Sequence, residues 1–174
     1  MTAYQRSINT LLLAAENPAL SSQSRGKKFE ELLISLFDSV PDSLVVGDIS
    51  SDFAAEQIDI AVSNRGGFPA LPNEFLVECK NYAAPLDSKS VGYFLFICLS
   101  RGAKLAVIVA KSGLTGDPGE HNHALSLAKA ASAMGCRLVV INRADLLSLT
   151  TASDLVDLLD TRYLQAFASG GVGH

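Results

Sequence analysis

Two short apolar runs separated by a helical stretch set the architecture. Leu105 to Ala110 is apolar at every position, and Arg137 to Ile141 nearly so. A strand with one wet face alternates apolar and polar residues. An unbroken apolar run of strand length belongs to a strand buried on both faces, the usual case in parallel sheets covered by helices. Between the runs, about 119–134 reads as a helix ending at Gly135, a crossover connection.

The rest of the chain agrees with that frame. Ile8, Leu11, Leu12 and Ala15 recur at helical spacing over about 2–17, and Asn17-Pro18 ends the stretch. A second helix is expected over about 24–39, with Phe29, Leu32, Leu33, Leu36, Phe37 and Val40 inward and Pro41 closing it. The period then shortens. Leu44 to Ile49, Gln57 to Ser63 and Phe75 to Tyr82 read as three strands joined by turns, an antiparallel meander. In the second, Ile58, Ile60 and Val62 should share one side and Asp59, Ala61 and Ser63 the other. A helix over about 87–101 leads to the first apolar run, and about 143–167 is helical in one or two pieces. Gly170-Gly171 onward reads as a frayed end. The expected fold is α/β: a mixed central sheet of about five strands flanked by helices. Residues 1–174 read as one domain, with a core of about 25–147, an N-terminal helix and a C-terminal helical extension.

Composition narrows the class. With 174 residues, 48% of them apolar, the chain suits a folded domain and not a disordered one. No apolar run reaches the roughly 18 residues of a membrane span, and no secretory leader is visible, so a cytoplasmic location is expected. Cys79, Cys98 and Cys136 stand singly, with no CxxC spacing, which fits buried thiols better than a disulfide framework or zinc site. A formal charge of −4 is unlike a self-sufficient DNA binder. DNA binding then requires local positive charge, or a further DNA-recognition subunit or domain.

The chemistry concentrates in Phe75-Leu76-Val77-Glu78-Cys79-Lys80. Alternation puts Glu78 and Lys80 on one face and Phe75, Val77 and Cys79 on the other. Charges are depleted in strands and costly to bury unpaired. Asp59 repeats the oddity between Ile58 and Ile60, and pairing of the two strands makes Asp59 and Glu78 neighbours. Two carboxylates that close repel unless one is protonated or a cation sits between them. Mg²⁺ takes oxygen ligands, commonly one or two carboxylates, and can activate water against a phosphodiester. Lys80 can orient that water or neutralise phosphate charge. On the second helix Glu30 lies about 100° from Phe29, at the border of the apolar face, while Glu31 lies on the solvated side. Taken singly, each of these residues also fits an ordinary surface charge; the combination and its order are harder to dismiss.

Four stretches resemble the PD-(D/E)xK (restriction-endonuclease-like) nuclease superfamily, and most closely the catalytic domains of Mrr-like type IV restriction endonucleases. Gly26-Lys27-Lys28-Phe29-Glu30 is similar to a G-x-x-F-E helix start, and Gln57-Ile58-Asp59-Ile60 to the Asp strand. Val77-Glu78-Cys79-Lys80-Asn81-Tyr82 is similar to the (D/E)-x-K strand. Val107 to Thr115 is similar to the strand and S-G-(aromatic)-T turn beyond the crossover helix, except that Leu114 stands at the aromatic position. The resemblance spans about 25–147 and implies an Mg²⁺-dependent endodeoxyribonuclease, with Mn²⁺ as a substitute, acting in restriction or defence. It implies Glu30, Asp59, Glu78 and Lys80 as the catalytic set, and Asp59, Glu78, Glu30 and Cys79 as the metal set.

Arg25, Lys27, Lys28, Lys89 and Lys111 are the cations available to phosphate, the first three near a helix start. The loop 64–74 reads either as a substrate-binding flap or as a tolerated insertion. His121 and His123 lack a third ligand, so capping or surface roles are expected. Double-strand cutting by one site per chain implies a homodimer. The competing reading is a nucleic-acid-binding or partner-binding module of this fold without turnover. A different α/β enzyme would carry G-x-G-x-x-G or G-x-S-x-G, and neither occurs.

Overall fold

The computed structural model describes residues 1–50, 57–81, 84–114 and 117–174. Tyr82, Thr115 and Gly116 of the stretches above lie outside the described residues. The chain is α/β, and among the described residues it forms a six-stranded mixed sheet flanked by helices. In chain order the elements are α1 (Ala3–Ala15), α2 (Ser22–Asp38), β1 (Ser43–Ser50), β2 (Gln57–Asn64), β3 (Glu74–Lys80), α3 (Ser88–Ser100), β4 (Leu105–Ala110), α4 (Pro118–Ala133), β5 (Arg137–Ile141), α5 (Arg143–Ser148), α6 (Ala152–Ser169) and β6 (Val172–Gly173).

Spatial order follows chain order. β1, β2 and β3 form the antiparallel meander, while β3 to β6 run parallel. β4 shows why its sequence is apolar throughout. Leu105, Val107 and Val109 enter a core under α1, α2, α5 and α6; Ala106, Ile108 and Ala110 enter a second core under α3 and α4.

The sixth strand corrects the expectation of about five strands and a frayed end. Gly170 ends α6 with φ +63, and Val172 and Gly173 then pair with Leu138 and Val139. A Cβ at Gly173 would lie 1.9 Å from the Arg162 carbonyl oxygen, so only glycine fits against α6 there. α2 begins two residues before its expected start because the Ser21 hydroxyl accepts the Ser24 N–H.

The loop 64–74 is packed into the fold. The Asn64 amide donates to the carbonyls of Phe68, Leu71 and Pro72 and accepts the N–H groups of Gly66 and Phe68. Phe68 is fully buried and stacks edge-on against Phe75. The loop joins the end of the β2–β3 hairpin far from Asp59. A Cβ at Gly67 would lie 2.1 Å from the Pro41 carbonyl oxygen. Gly67→Ala is therefore expected to destabilise by about 1–3 kcal/mol, read as a lower urea midpoint; an unchanged midpoint would show that this contact relaxes freely.

α1 is tied to the sheet edge by polar contacts. Glu16, its C-cap, accepts from Arg143 Nε at 2.7 Å and Nη2 at 3.0 Å, and pairs with Lys111 Nζ at 3.1 Å. The Arg143 hydrogen bond holds the Glu16 carboxyl below its ordinary value of 4.5. A depressed folded value means stability that is present above the unfolded value and lost as pH falls through the folded one. Glu16→Gln should flatten the acid limb of the Tm–pH curve below about pH 4.5; a limb as steep as wild type would contradict this role.

Candidate active site

Two strands bring Asp59, Glu78 and Lys80 together, and α2 carries Glu30 within electrostatic reach of Asp59. The β2–β3 ladder runs from Ser63↔Glu74 to Ile60↔Val77, and one step further sets Asp59 opposite Glu78. At that level the Asp59 side chain takes over, its Oδ2 accepting the Cys79 N–H at 2.7 Å. This bond fixes the carboxylate beside the Glu78–Lys80 strand. The Lys80 ammonium forms an ion pair with Glu78, both side chains being largely covered.

The expected alternation of β2 breaks here. Ile60 and Val62 pack under α1 and α2, but Ile58 packs into the core under α3 and α4. The cause lies opposite, in β1. Asp48 has φ +53, a left-handed conformation uncommon outside glycine. Its neighbour Ile49, paired with Ile58, packs toward the same core as Ile58, whereas Val45 packs toward the other. Both strands turn over at the level of Asp48 and Asp59.

Burial and mutual repulsion set the protonation of the group. Burial raises the Asp59 carboxyl, partly offset by the Cys79 N–H and by Lys80. Burial and the Asp59 charge raise Glu78, with Lys80 opposing. Glu30, from α2, is raised by burial and then by the charges of Asp59 and Asp48, with Lys27 opposing. Burial pushes the Cys79 thiol well up, and Asp59, Glu30 and Glu78 add to it. Cys79 thus sits within electrostatic reach of all four candidate catalytic residues.

Asp48 is the member that the sequence reading passed over. It belongs to the cluster through its charge on Glu30 and Asp59, and it accepts from the Gln57 amide at 3.2 Å. A charge interrupting an apolar strand marks Asp48 by the criterion that marked Asp59.

The donor set suits a hard cation, since it consists of carboxylate oxygens that repel one another. Among the described residues, no group of three or more His, Cys, Asp or Glu is arranged to hold a metal ion. Mg²⁺ needs fewer, because one or two carboxylates with waters and substrate oxygens complete its shell. Asp59 and Glu78 are the pair that fits this requirement.

Asn81, just past Lys80, donates to the carbonyls of Ala15 and Arg25, pinning α1 and the start of α2 to the same edge. Of the expected phosphate-contacting cations, Lys28 pairs with Glu31 and Lys111 with Glu16, while Lys27 and Lys89 are exposed. Leu114 forms a bridge with Leu86 and packs against the α3–α4 core. His121 and His123 lie inside α4, whose N-cap is Asp117, so they are not caps. Cys98 and Cys136 are buried and all three cysteines are free thiols. No helix among the described residues is long and apolar enough to cross a membrane. No protein-family model matches the chain, and no curated protein does.

Proposed function

We propose that the chain is a metal-dependent endodeoxyribonuclease of the PD-(D/E)xK type, hydrolysing DNA phosphodiester bonds with Mg²⁺, in restriction or defence. The observation that carries this reading is the Asp59 carboxylate, fixed by the Cys79 N–H beside the Glu78–Lys80 ion pair. Such a cluster of like charges is costly in a metal-free fold and is compensated by a divalent cation.

Asp59 and Glu78 would hold the ion, in the metal set that also includes Cys79, whose N–H binds Asp59, and Glu30 of α2. Mg²⁺ there would polarise the phosphodiester and acidify water at the reacting phosphorus. Lys80 has the charge to stabilise the extra negative charge on phosphate in the transition state. Glu30, carried by α2 within reach of the Asp59 charge, would exchange a proton with water at the site. The Asp59–Cys79 bond holds its carboxylate without reorganisation during the reaction. Two chains acting together would cut both strands, which makes a homodimer the proposed working form.

Supercoiled plasmid incubated with Mg²⁺ should be nicked or linearised, and EDTA or Asp59→Asn should stop it. The asparagine keeps an acceptor for the Cys79 N–H while removing the charge. Tight DNA binding with no cutting under Mg²⁺ or Mn²⁺ would replace the enzyme reading by the non-catalytic binding module.

A further inference from the structure

The C-terminal ends of β3, β4 and β5 lie side by side, and each leads into a cation. Lys80 ends β3, Lys111 follows β4, and Arg143 follows β5 after Asn142. The main chain joins them in a row. The Lys111 N–H donates to the Lys80 carbonyl at 3.0 Å, and the Arg143 N–H to the Lys111 carbonyl at 3.4 Å. By alternation Lys80, like Glu78, belongs to the α3–α4 face of the sheet and Lys111 and Arg143 to the α1 face, so the three cations flank the C-terminal rim of the sheet from its two sides.

One carboxylate, Glu16, serves both Lys111 and Arg143. Arginine carries five N–H donors and lysine three, and Glu16 engages only three of these through Arg143 Nε, Arg143 Nη2 and Lys111 Nζ. Donors and one unit of positive charge are left over. The start of α2, with Arg25, is pinned to this edge by Asn81. The carboxylates Glu78, Asp59, Glu30 and Asp48 lie on the β3, β2, α2 and β1 side, beyond Lys80.

We propose that Lys111 and Arg143 bind non-scissile phosphates of the nucleic-acid strand whose reacting phosphate lies at Lys80, in competition with Glu16. This inference rests on the phosphodiesterase reading above. It supplies the local positive charge that an acidic chain needs to hold DNA, and it assigns these residues to positioning the backbone and not to sequence choice.

Binding is read by fluorescence anisotropy with a short fluorescein-labelled duplex, in Ca²⁺ in place of Mg²⁺, between about 50 and 200 mM salt. Arg143→Gln and Lys111→Gln should each weaken binding and lower the slope of log affinity against log salt by about one. Glu16→Gln should tighten binding, because the cations lose their internal competitor. A purely structural tie between α1 and α5 predicts otherwise, since Arg143→Gln and Glu16→Gln break the same pair and should act in the same direction. Unchanged slopes in Arg143→Gln and Lys111→Gln, or weakening by Glu16→Gln, would overturn the inference. Lys111→Gln leaves the Arg143–Glu16 pair intact, which keeps the test decisive if Arg143→Gln does not fold. A wild-type chain that cuts DNA while these slopes stay unchanged sinks this inference alone; one that neither binds nor cuts sinks both readings.

Discussion

Lys80→Ala should slow DNA cleavage by about 10²–10³-fold, the usual cost of removing one preorganised group that meets developing charge. Lys80 and Glu78 lie two residues apart on one face of β3, and the register sets them against Ala110 and Ile108 of β4, which carry no charge. The ammonium has two tasks in this account: it balances Glu78 in the metal-free chain and phosphate charge during reaction. Its removal leaves Glu78 closer to uncompensated, so added Mg²⁺ should raise the Tm of Lys80→Ala more than that of wild type. Single-turnover rates at saturating Mg²⁺ separate the two effects. A loss under about tenfold would remove Lys80 from the chemistry.

Arg162→Ala carries the largest expected loss of stability. Arg162 reaches from α6 to Asp145 of α5, with contacts of 2.6 and 2.8 Å, and donates to the Val140 carbonyl on β5. Both side chains are mostly covered, at 10% and 16% exposure. Truncating the arginine leaves the carboxylate with the Asn142 N–H alone and takes this donor from the Val140 carbonyl. Breaking such a pair costs about 3–5 kcal/mol, and this one belongs at the lower end because the pair keeps some contact with water. That is a large part of a typical domain's stability. Replacing both partners, Arg162→Met with Asp145→Leu, should recover much of the loss, since neither charge is then left alone. Urea denaturation of the three variants tests this. A double variant no better than Arg162→Ala would show that the Val140 carbonyl dominates.

Arg162 also illustrates what the sequence leaves unread. Its helix is legible from the spacing of Leu155, Leu159 and Ala166, all buried in the structure. Nothing in one helical pattern says that an arginine on it will be buried, because its partner lies on another element. The same limit hid β6. Two residues carry no period, and Val172–Gly173 becomes a strand only because α6 returns the chain beside β5. β4 was readable because burial on both faces is written into every residue.

The candidate site divides along the same line. Asp59, Glu78 and Lys80 stand out because each interrupts an apolar strand, a local signal. Asp48 bears that signal too, but Gly47 beside it weakens the strand pattern, and its φ of +53 is a property of the folded backbone. The turnover of Ile58 to the other core depends on that conformation across the ladder, so alternation along β2 alone could not foretell it.

The account stands on one divalent ion shared between two strands. A crystal soaked in Mn²⁺ and measured at the manganese edge tests it directly. The account predicts an anomalous peak between the Asp59 and Glu78 carboxylates, beside Cys79, and none in Asp59→Asn. Manganese bound elsewhere, or a chain that binds none while Lys80 stays on Glu78, would contradict it.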